Sequence, residues 1–336
     1  MHSHLSRRQF LIAGGAAAAV GSVALSRPVR ATGARLADDP FPRRFEHKFG
    51  STTLPKVPTR IVTVGLTDHE ALLALGVAPL AVTEWSGEKP YATWPWAVDA
   101  LGDATPEVLA SQETNFEAIA AHDPDLILGC YGGLEQLDYD RLAGIAPTIA
   151  QNSDYADWTT PWRTMAATIA RAVGEDEAGA ALIEAIDEQL SEIRASNPDF
   201  ATATGITVDG PADGKFGFLS ADDPRGRLLA DLGFIFPPQL TELVASDLFY
   251  GEISAEQLPT LDSDVMVWLS YDADTQATVE ADPLYPTLRA AQEGRSVFLT
   301  EEETAAFGFS TVLSIPYLLD TFVAKLASAV DGDPET

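Results

Sequence analysis

Apolar and polar positions alternate between two periods along this chain. Arg60-Ile61-Val62-Thr63-Val64 is a short β-branched run that reads as a strand. Asp68 then stands where an N-cap belongs, ahead of a helix through Leu75 that Gly76 ends. Val77 to Thr83 returns as a strand. Strand, helix, strand is the unit of a parallel α/β sheet. Residues 32–57 are polar and Pro-rich and read as a tail with an edge segment, outside any domain.

One pattern occurs twice. Asn115-Phe116-Glu117 through Asp123-Pro124-Asp125-Leu126-Ile127-Leu128 aligns without a gap to Ser254-Ala255-Glu256 through Asp262-Ser263-Asp264-Val265-Met266-Val267. Each copy opens on an N-cap residue and places a glutamate in the first helical turn, where the helix dipole favours a carboxylate. Each then carries an Asp-x-Asp turn and a wholly apolar strand, the mark of a parallel sheet covered on both faces. Any βα unit shares part of this plan, but the joint match of Glu, Asp and Asp points to two lobes of similar design. Between the copies, Glu175 to Ser196 has no Pro and a single Gly, with Leu182, Ile186, Leu190 and Ile193 on one stripe. Such a helix is roughly 33 Å long and can bridge two lobes as a stiff connector. The predicted fold is therefore α/β: two lobes, each a mostly parallel sheet flanked by helices, joined by one long helix. The expected boundaries are 58–174 for the first lobe, 175–196 for the link, 197–330 for the second lobe and 331–336 for a tail.

The N-terminus changes the picture of where the chain works. Ser6-Arg7-Arg8-Gln9-Phe10-Leu11 resembles the twin-arginine export motif, and an apolar run from Leu11 to Leu25 follows it. That run is shorter than the roughly 20 residues that span a bilayer, so residues 1–31 read as a signal peptide cleaved near Ala31. No Cys lies near that site to accept a lipid, so the expected mature chain is unanchored. Cys130 is the single cysteine, which excludes an intrachain disulfide and a Cys-based zinc cluster. The formal charge is −29 over 336 residues, with 46% hydrophobic residues to build a core. Such a charge repels nucleic acid and anionic lipid; it is otherwise a solvated surface with no partner.

The ordered stretches resemble a known family. They are Arg60 to Gly65 with Thr67 to Val77, Pro124 to Gly129, Asp223-Pro224-Arg225-Gly226-Arg227, Gly294 to Leu299 and Leu313 to Asp320. The chain resembles the class III solute-binding proteins, and within them the iron–siderophore binding components of ABC importers. The resemblance implies capture of a ferric siderophore on the extracytoplasmic side and delivery to a permease dimer. It implies a monomer with no cofactor of its own, the iron being held by the siderophore. Haem or cobalamin binding in the same fold stays open as an alternative, as does a secreted α/β enzyme.

Candidate ligand residues follow strand ends, where open α/β sheets bind ligands. Trp85, Tyr91 and Trp94 lie with Trp96 in a Pro- and Gly-bounded loop after the strand ending at Thr83. Rigid aromatics suit a large amphipathic ligand, although Trp94-Pro95-Trp96 can equally pack as a satellite core. Tyr131 precedes Gly132-Gly133 at another strand end, and Tyr271 occupies the matching place in the second lobe, with Trp268 assigned to the core. The resemblance suggests Arg225 as the cation that holds ligand oxygens; a surface ion pair with Asp222 or Asp223 is the competing reading. Arg227 is assigned a structural role. The resemblance also implies that Glu117 and Glu256, one per lobe, dock into the permease.

Catalysis finds little support. There is no Gly-x-Gly-x-x-Gly, Walker or Gly-x-Ser-x-Gly motif. His69-Glu70 lacks the second His of a zinc-protease helix, and His47, His69 and His122 are too scattered for a three-His metal site. His69 remains a residue that can reach the cleft. Replacing Arg7 and Arg8 together with Lys should trap the precursor in the cytoplasm. Fractionation that finds the doubly substituted chain exported as before would refute the twin-arginine route.

Overall fold

The computed structural model describes residues 40–110, 113–244 and 249–332. The twin-arginine motif and the cleavage region lie outside the described residues. The described chain opens with a hairpin, β1 (Arg43–His47) and β2 (Gly50–Leu54), whose alternate residues Phe45 and Leu54 are buried.

The first lobe is built on β3 (Ile61–Thr63), β4 (Ala81–Thr83), β5 (Glu107–Leu109), β6 (Leu126–Gly129) and β7 (Thr148–Ala150). Their order is β5-β4-β3-β6-β7, and every pairing is parallel. The second lobe holds β8 (Gly205–Asp209), β9 (Lys215–Leu219), β10 (Tyr250–Ser254), β11 (Val265–Leu269) and β12 (Ser296–Phe298), in the order β10-β9-β8-β11-β12. Here β8, β11 and β12 are parallel, while β9 and β10 run antiparallel. Central strands β6 and β11 are wholly buried, as their unbroken apolar sequences require. Two lobes with mostly parallel sheets, linked by the helix Asp176–Ser196, are thus what the pattern predicted.

The internal repeat has a physical cause. Strands β6 and β11 take the same place in the two sheets. The second Asp of each Asp-x-Asp turn pins the start of the neighbouring central strand. Asp125 accepts from the backbone N–H groups of Thr59 and Arg60 at 2.9 and 2.7 Å, just before β3. Asp264 accepts from the N–H and hydroxyl of Thr204, both at 2.8 Å, just before β8. Asn115 caps the helix Phe116–Ala121 by accepting from the Ala118 N–H. Ser254 forms a reciprocal capping box with Gln257, but the element it opens, Ala255–Leu261, is a 3₁₀ helix. Pro259 lies inside it and lacks the N–H that an α-helix would use.

Two expectations are corrected. The strand after Gly76 is only Ala81–Thr83, because Pro79 interrupts the ladder ahead of it. Asp68 does not cap its helix. Thr67 holds the N-cap position, and Asp68 opens the helix Asp68–Ala74 with its side chain fully buried.

The linking helix buries Ile186 and Leu190, with Leu182, Ile183 and Ile193 packed beside them. Its lone glycine, Gly179, lies so close to Ala170 that a Cβ there would come within 2.3 Å of the alanine methyl. Arg163, on the helix Trp162–Val173, ties the link to both lobes. It donates to Asp187 on the linking helix and, at 2.7 Å, to Asp231 at the end of the second-lobe helix Pro224–Asp231.

Candidate ligand site

The carboxyl ends of parallel strands from both sheets converge on the seam between the lobes. After β4 the chain turns into Trp85-Ser86-Gly87, and after β6 into Tyr131. From the other side come Arg225 after β9, Tyr271 after β11 and the helix Glu301–Phe309 after β12. A cavity of about 270 Å³ lies between them. Trp85, Gly87 and Trp94 form its first-lobe wall; Arg225, Tyr271, Glu301 and Phe309 form much of the other. A second cavity, of about 530 Å³, lies on the first lobe and is lined by Tyr131, Gly132, Gly133 and Trp158.

Phe309 organises the aromatic wall. Its ring centroid lies 5.0 Å from Trp85, 5.5 Å from Trp96 and 6.3 Å from Trp94. Trp94 and Trp96 stack in parallel at 5.3 Å, and Trp85 meets Tyr131 at 6.1 Å. Gly87 has φ +84, and a Cβ there would come within 2.4 Å of the Trp94 ring, so only glycine lets the loop close over that indole. Trp85 is half-buried with a face on the cavity, whereas Trp94 is buried and adds an edge. Tyr91 is 40% exposed and does not line this cavity. It sits at φ 59 between Pro90 and Ala92, on the outer side of the loop.

Arg225 is neither free nor at the surface. It donates from Nε and Nη2 to the two oxygens of Asp223 at 2.7 and 2.9 Å, and the Asp223 carboxylate is buried. Asp223 also caps the helix by accepting from the Arg225 N–H. Burial works against the guanidinium charge, but Asp223 more than offsets it and holds Arg225 above the ordinary arginine range. Tyr131 is buried within electrostatic range of both; burial first, then Asp223, push its phenol up, so it stays protonated. Tyr271 is exposed, and its hydroxyl donates to Asp209 at 3.0 Å. Trp268 is fully buried in the second-lobe core. Arg227 binds the carboxylate and carbonyl of Asp222.

Glu117 and Glu256 are both exposed in the first turn of their helices. His69 does not reach the cleft: it is fully buried, packs edge-on towards Phe309, and burial lowers its pKa to about 4. Among the described residues no group of His, Cys, Asp and Glu is placed to hold a metal ion, and no helix is long and apolar enough to cross a membrane.

Several residues that shape the site carry no local signal in the sequence. Asp68 accepts from the backbone N–H groups of Cys130 and Tyr131 at 2.6 and 3.0 Å, which fixes the turn that presents Tyr131. Glu70 accepts from Trp96 Nε1 at 2.7 Å and from the Thr311 hydroxyl, so one buried carboxylate joins the lobes. Burial raises both, each to about 7. A hint lies in their setting: both belong to a short helix whose other residues include Ala71, Leu72 and Leu73, all buried.

Residues 61–303 match the family described as Periplasmic binding protein. The chain is 31% identical over 269 residues to "Probable siderophore-binding lipoprotein YfiY" of Bacillus subtilis, covering 76% of this chain and 79% of that one. A periplasmic solute binding protein from Mycobacterium smegmatis superposes with a TM-score of 0.77 at 30% identity, covering 85% of this chain and 98% of its own. PiaA of Streptococcus pneumoniae, in complex with ferrichrome, does so with a TM-score of 0.75 at 28% identity, covering 86% and 99%.

Glu70 gives this arrangement a pH signature. Folded, it keeps its proton up to about pH 7; unfolded, it titrates near 4.5. The folded state therefore binds the extra proton between these values, and stability falls as pH rises through that window. Asp68 acts in the same direction. Glu70→Gln mimics the protonated side chain: its oxygen accepts from Trp96, and its amide donates to the Thr311 hydroxyl in place of the bond that Glu70 accepts. By calorimetry its melting temperature should match the parent at pH 4 and exceed it at pH 8. Parallel pH profiles for the two proteins would show that Glu70 is not held protonated.

Proposed function

Because the chain belongs to the periplasmic binding protein family, we propose that it captures a ferric siderophore in the cavity between its lobes, outside the cytoplasm, and delivers it to the permease dimer of an ABC importer. The observation that carries this reading is the cavity itself. It is walled by Trp85 and Phe309, is floored by a buried Arg225–Asp223 pair, and lies at the strand ends of both lobes. A relative named "Probable siderophore-binding lipoprotein" is 31% identical to the chain over 269 residues, and a structural relative holds ferrichrome.

Ligand pockets commonly measure roughly 300–1,000 Å³. The cavity here is about 270 Å³, so a siderophore enters by parting Trp85 from Phe309, the contact that closes the seam. Haem finds less support. His69, a candidate axial ligand, is buried away from the cavity. The roles assigned here to Trp85, Trp94, Tyr131, Arg225 and Tyr271 rest on their place around this seam. Tyr91 stands outside the cavity and is assigned to its rim.

Binding should be read by native mass spectrometry of the mature protein against ferric siderophores, haem and cobalamin. A ferric siderophore should be retained and should quench tryptophan fluorescence; retention of haem or cobalamin alone would refute the reading. Trp85→Ala should weaken siderophore binding by about 1–3 kcal/mol, the scale of one buried aromatic contact. Unaltered affinity in a folded variant would remove Trp85 from the site.

Docking is assigned to Glu117 and Glu256. They follow equivalent cap residues, Asn115 and Ser254, and precede equivalent strands, β6 and β11. Two exposed carboxylates at matched positions suit a two-fold symmetric partner that offers a cation to each lobe. Glu117→Arg combined with Glu256→Arg should abolish uptake through the importer and leave ligand affinity in solution nearly unchanged. Normal uptake by this double variant would place the docking surface elsewhere.

A further inference from the structure

The charge around the cavity is unbalanced towards the negative. Arg225 is the cation on the second-lobe wall, and its guanidinium is already engaged by both oxygens of Asp223. Asp209 lies within electrostatic range of the same pair and reaches the cavity through Tyr271, whose hydroxyl it binds. Glu301 lines the cavity, is exposed, and makes no hydrogen bond or ion pair with any described residue. Beside the first-lobe wall Lys89 lies 4.4 Å over the Trp94 ring, but Glu84 of the same loop lies within electrostatic range and answers its charge. A ligand therefore meets an arginine whose charge is cancelled, together with the carboxylates of Asp209 and Glu301. The low-dielectric walls of Trp85, Trp94 and Phe309 leave that field poorly screened.

We infer that the cavity selects ferric complexes that are neutral or cationic, the charge state of trishydroxamates, and rejects the polyanionic complexes formed by tris-catecholates and polycarboxylates, with Glu301 as the selecting residue. This rests on the siderophore reading above and adds the ligand's charge class to it. Each carboxylate facing an anionic ligand across a few ångströms of partly buried site lowers its affinity by about tenfold. Glu301 is suited to selection because no partner among the described residues holds or neutralises it. It also lies outside the reciprocal cap of its helix, which uses Thr300 and Glu303.

The test uses the mature protein and three ferric probes: ferrioxamine B, a monocation; ferrichrome, which is neutral; and ferric enterobactin, a trianion. Fluorescence titration should give the weakest binding to enterobactin, and raising salt should narrow the gap by screening the repulsion. Glu301→Gln should improve enterobactin binding by about tenfold while shifting ferrichrome little. Asp209→Asn, which still accepts from Tyr271, should act in the same direction. Enterobactin binding as tight as ferrichrome, or a Glu301→Gln effect equal on all three probes, would overturn the charge selection while leaving siderophore capture standing. Failure of all three to bind would overturn siderophore capture and the selection with it.

Discussion

The site depends on how Phe309 closes the seam between the lobes. The helix Glu301–Phe309 ends at Ser310, which takes the left-handed conformation at φ 46. Thr311 follows at once, and its hydroxyl accepts from the N–H groups of Leu313 and Ser314. This tight connector brings Phe309 against Trp85, Trp94 and Trp96 and brings Thr311 onto Glu70. Aromatic pairs of this kind contribute roughly 0.5–1.5 kcal/mol each beyond area burial. The loop that walls the cavity from the first lobe is therefore held by a residue of the second. Any ligand that parts Trp85 from Phe309 competes with those contacts and must replace them with its own.

Buried charge is handled differently on the two sides of the seam. On the second lobe Asp223 and Arg225 neutralise each other, and the helix cap that Asp223 provides fixes the pair in place. Removing either partner would leave the other buried and unpaired, a far larger loss than the net worth of the pair. On the first lobe Asp68 and Glu70 pair with no cation among the described residues. They are satisfied by N–H and O–H donors, and burial keeps them near neutrality in net charge. One lobe thus presents a locked ion pair to the cavity, and the other a hydrogen-bonded scaffold beneath the aromatic wall.

The sequence made legible whatever depends on neighbours along the chain. The apolar runs at Leu126–Gly129 and Val265–Leu269 could only be strands buried on both faces. Asp125 and Asp264 repeated because each pins a central strand by the same backbone contacts. The 22-residue stretch without proline could only be a long helix. What escaped was set by distant partners. Glu70 and Thr311 stand 241 residues apart. Asp68 has the composition of a cap, but its carboxylate found better donors at Cys130 and Tyr131 once the sheet was assembled. Phe309 sits in a run of ordinary helix formers, and only the topology delivers it to the tryptophans. The loop itself was recognisable as aromatic; which rings face the cavity was decided by Gly87, whose missing side chain lets Trp94 pack inward.

The link between the lobes limits how far the seam can open. A single helix joined to both lobes by Arg163, and packed on its neighbour through Gly179 and Ala170, resists a wide hinge motion. Opening must then be local, in the side chains and short loops around Phe309, with the lobes rotating little. That constraint bears on the proposed docking. Glu117 and Glu256 lie exposed in the first turns of the elements that lead into β6 and β11. On the proposed docking, rigidity of this kind would suit a partner with fixed two-fold spacing, because both contacts would form together without reorganising the lobes. A filled cavity would then differ from an empty one at the seam, where Trp85 and Phe309 are in contact in this structure.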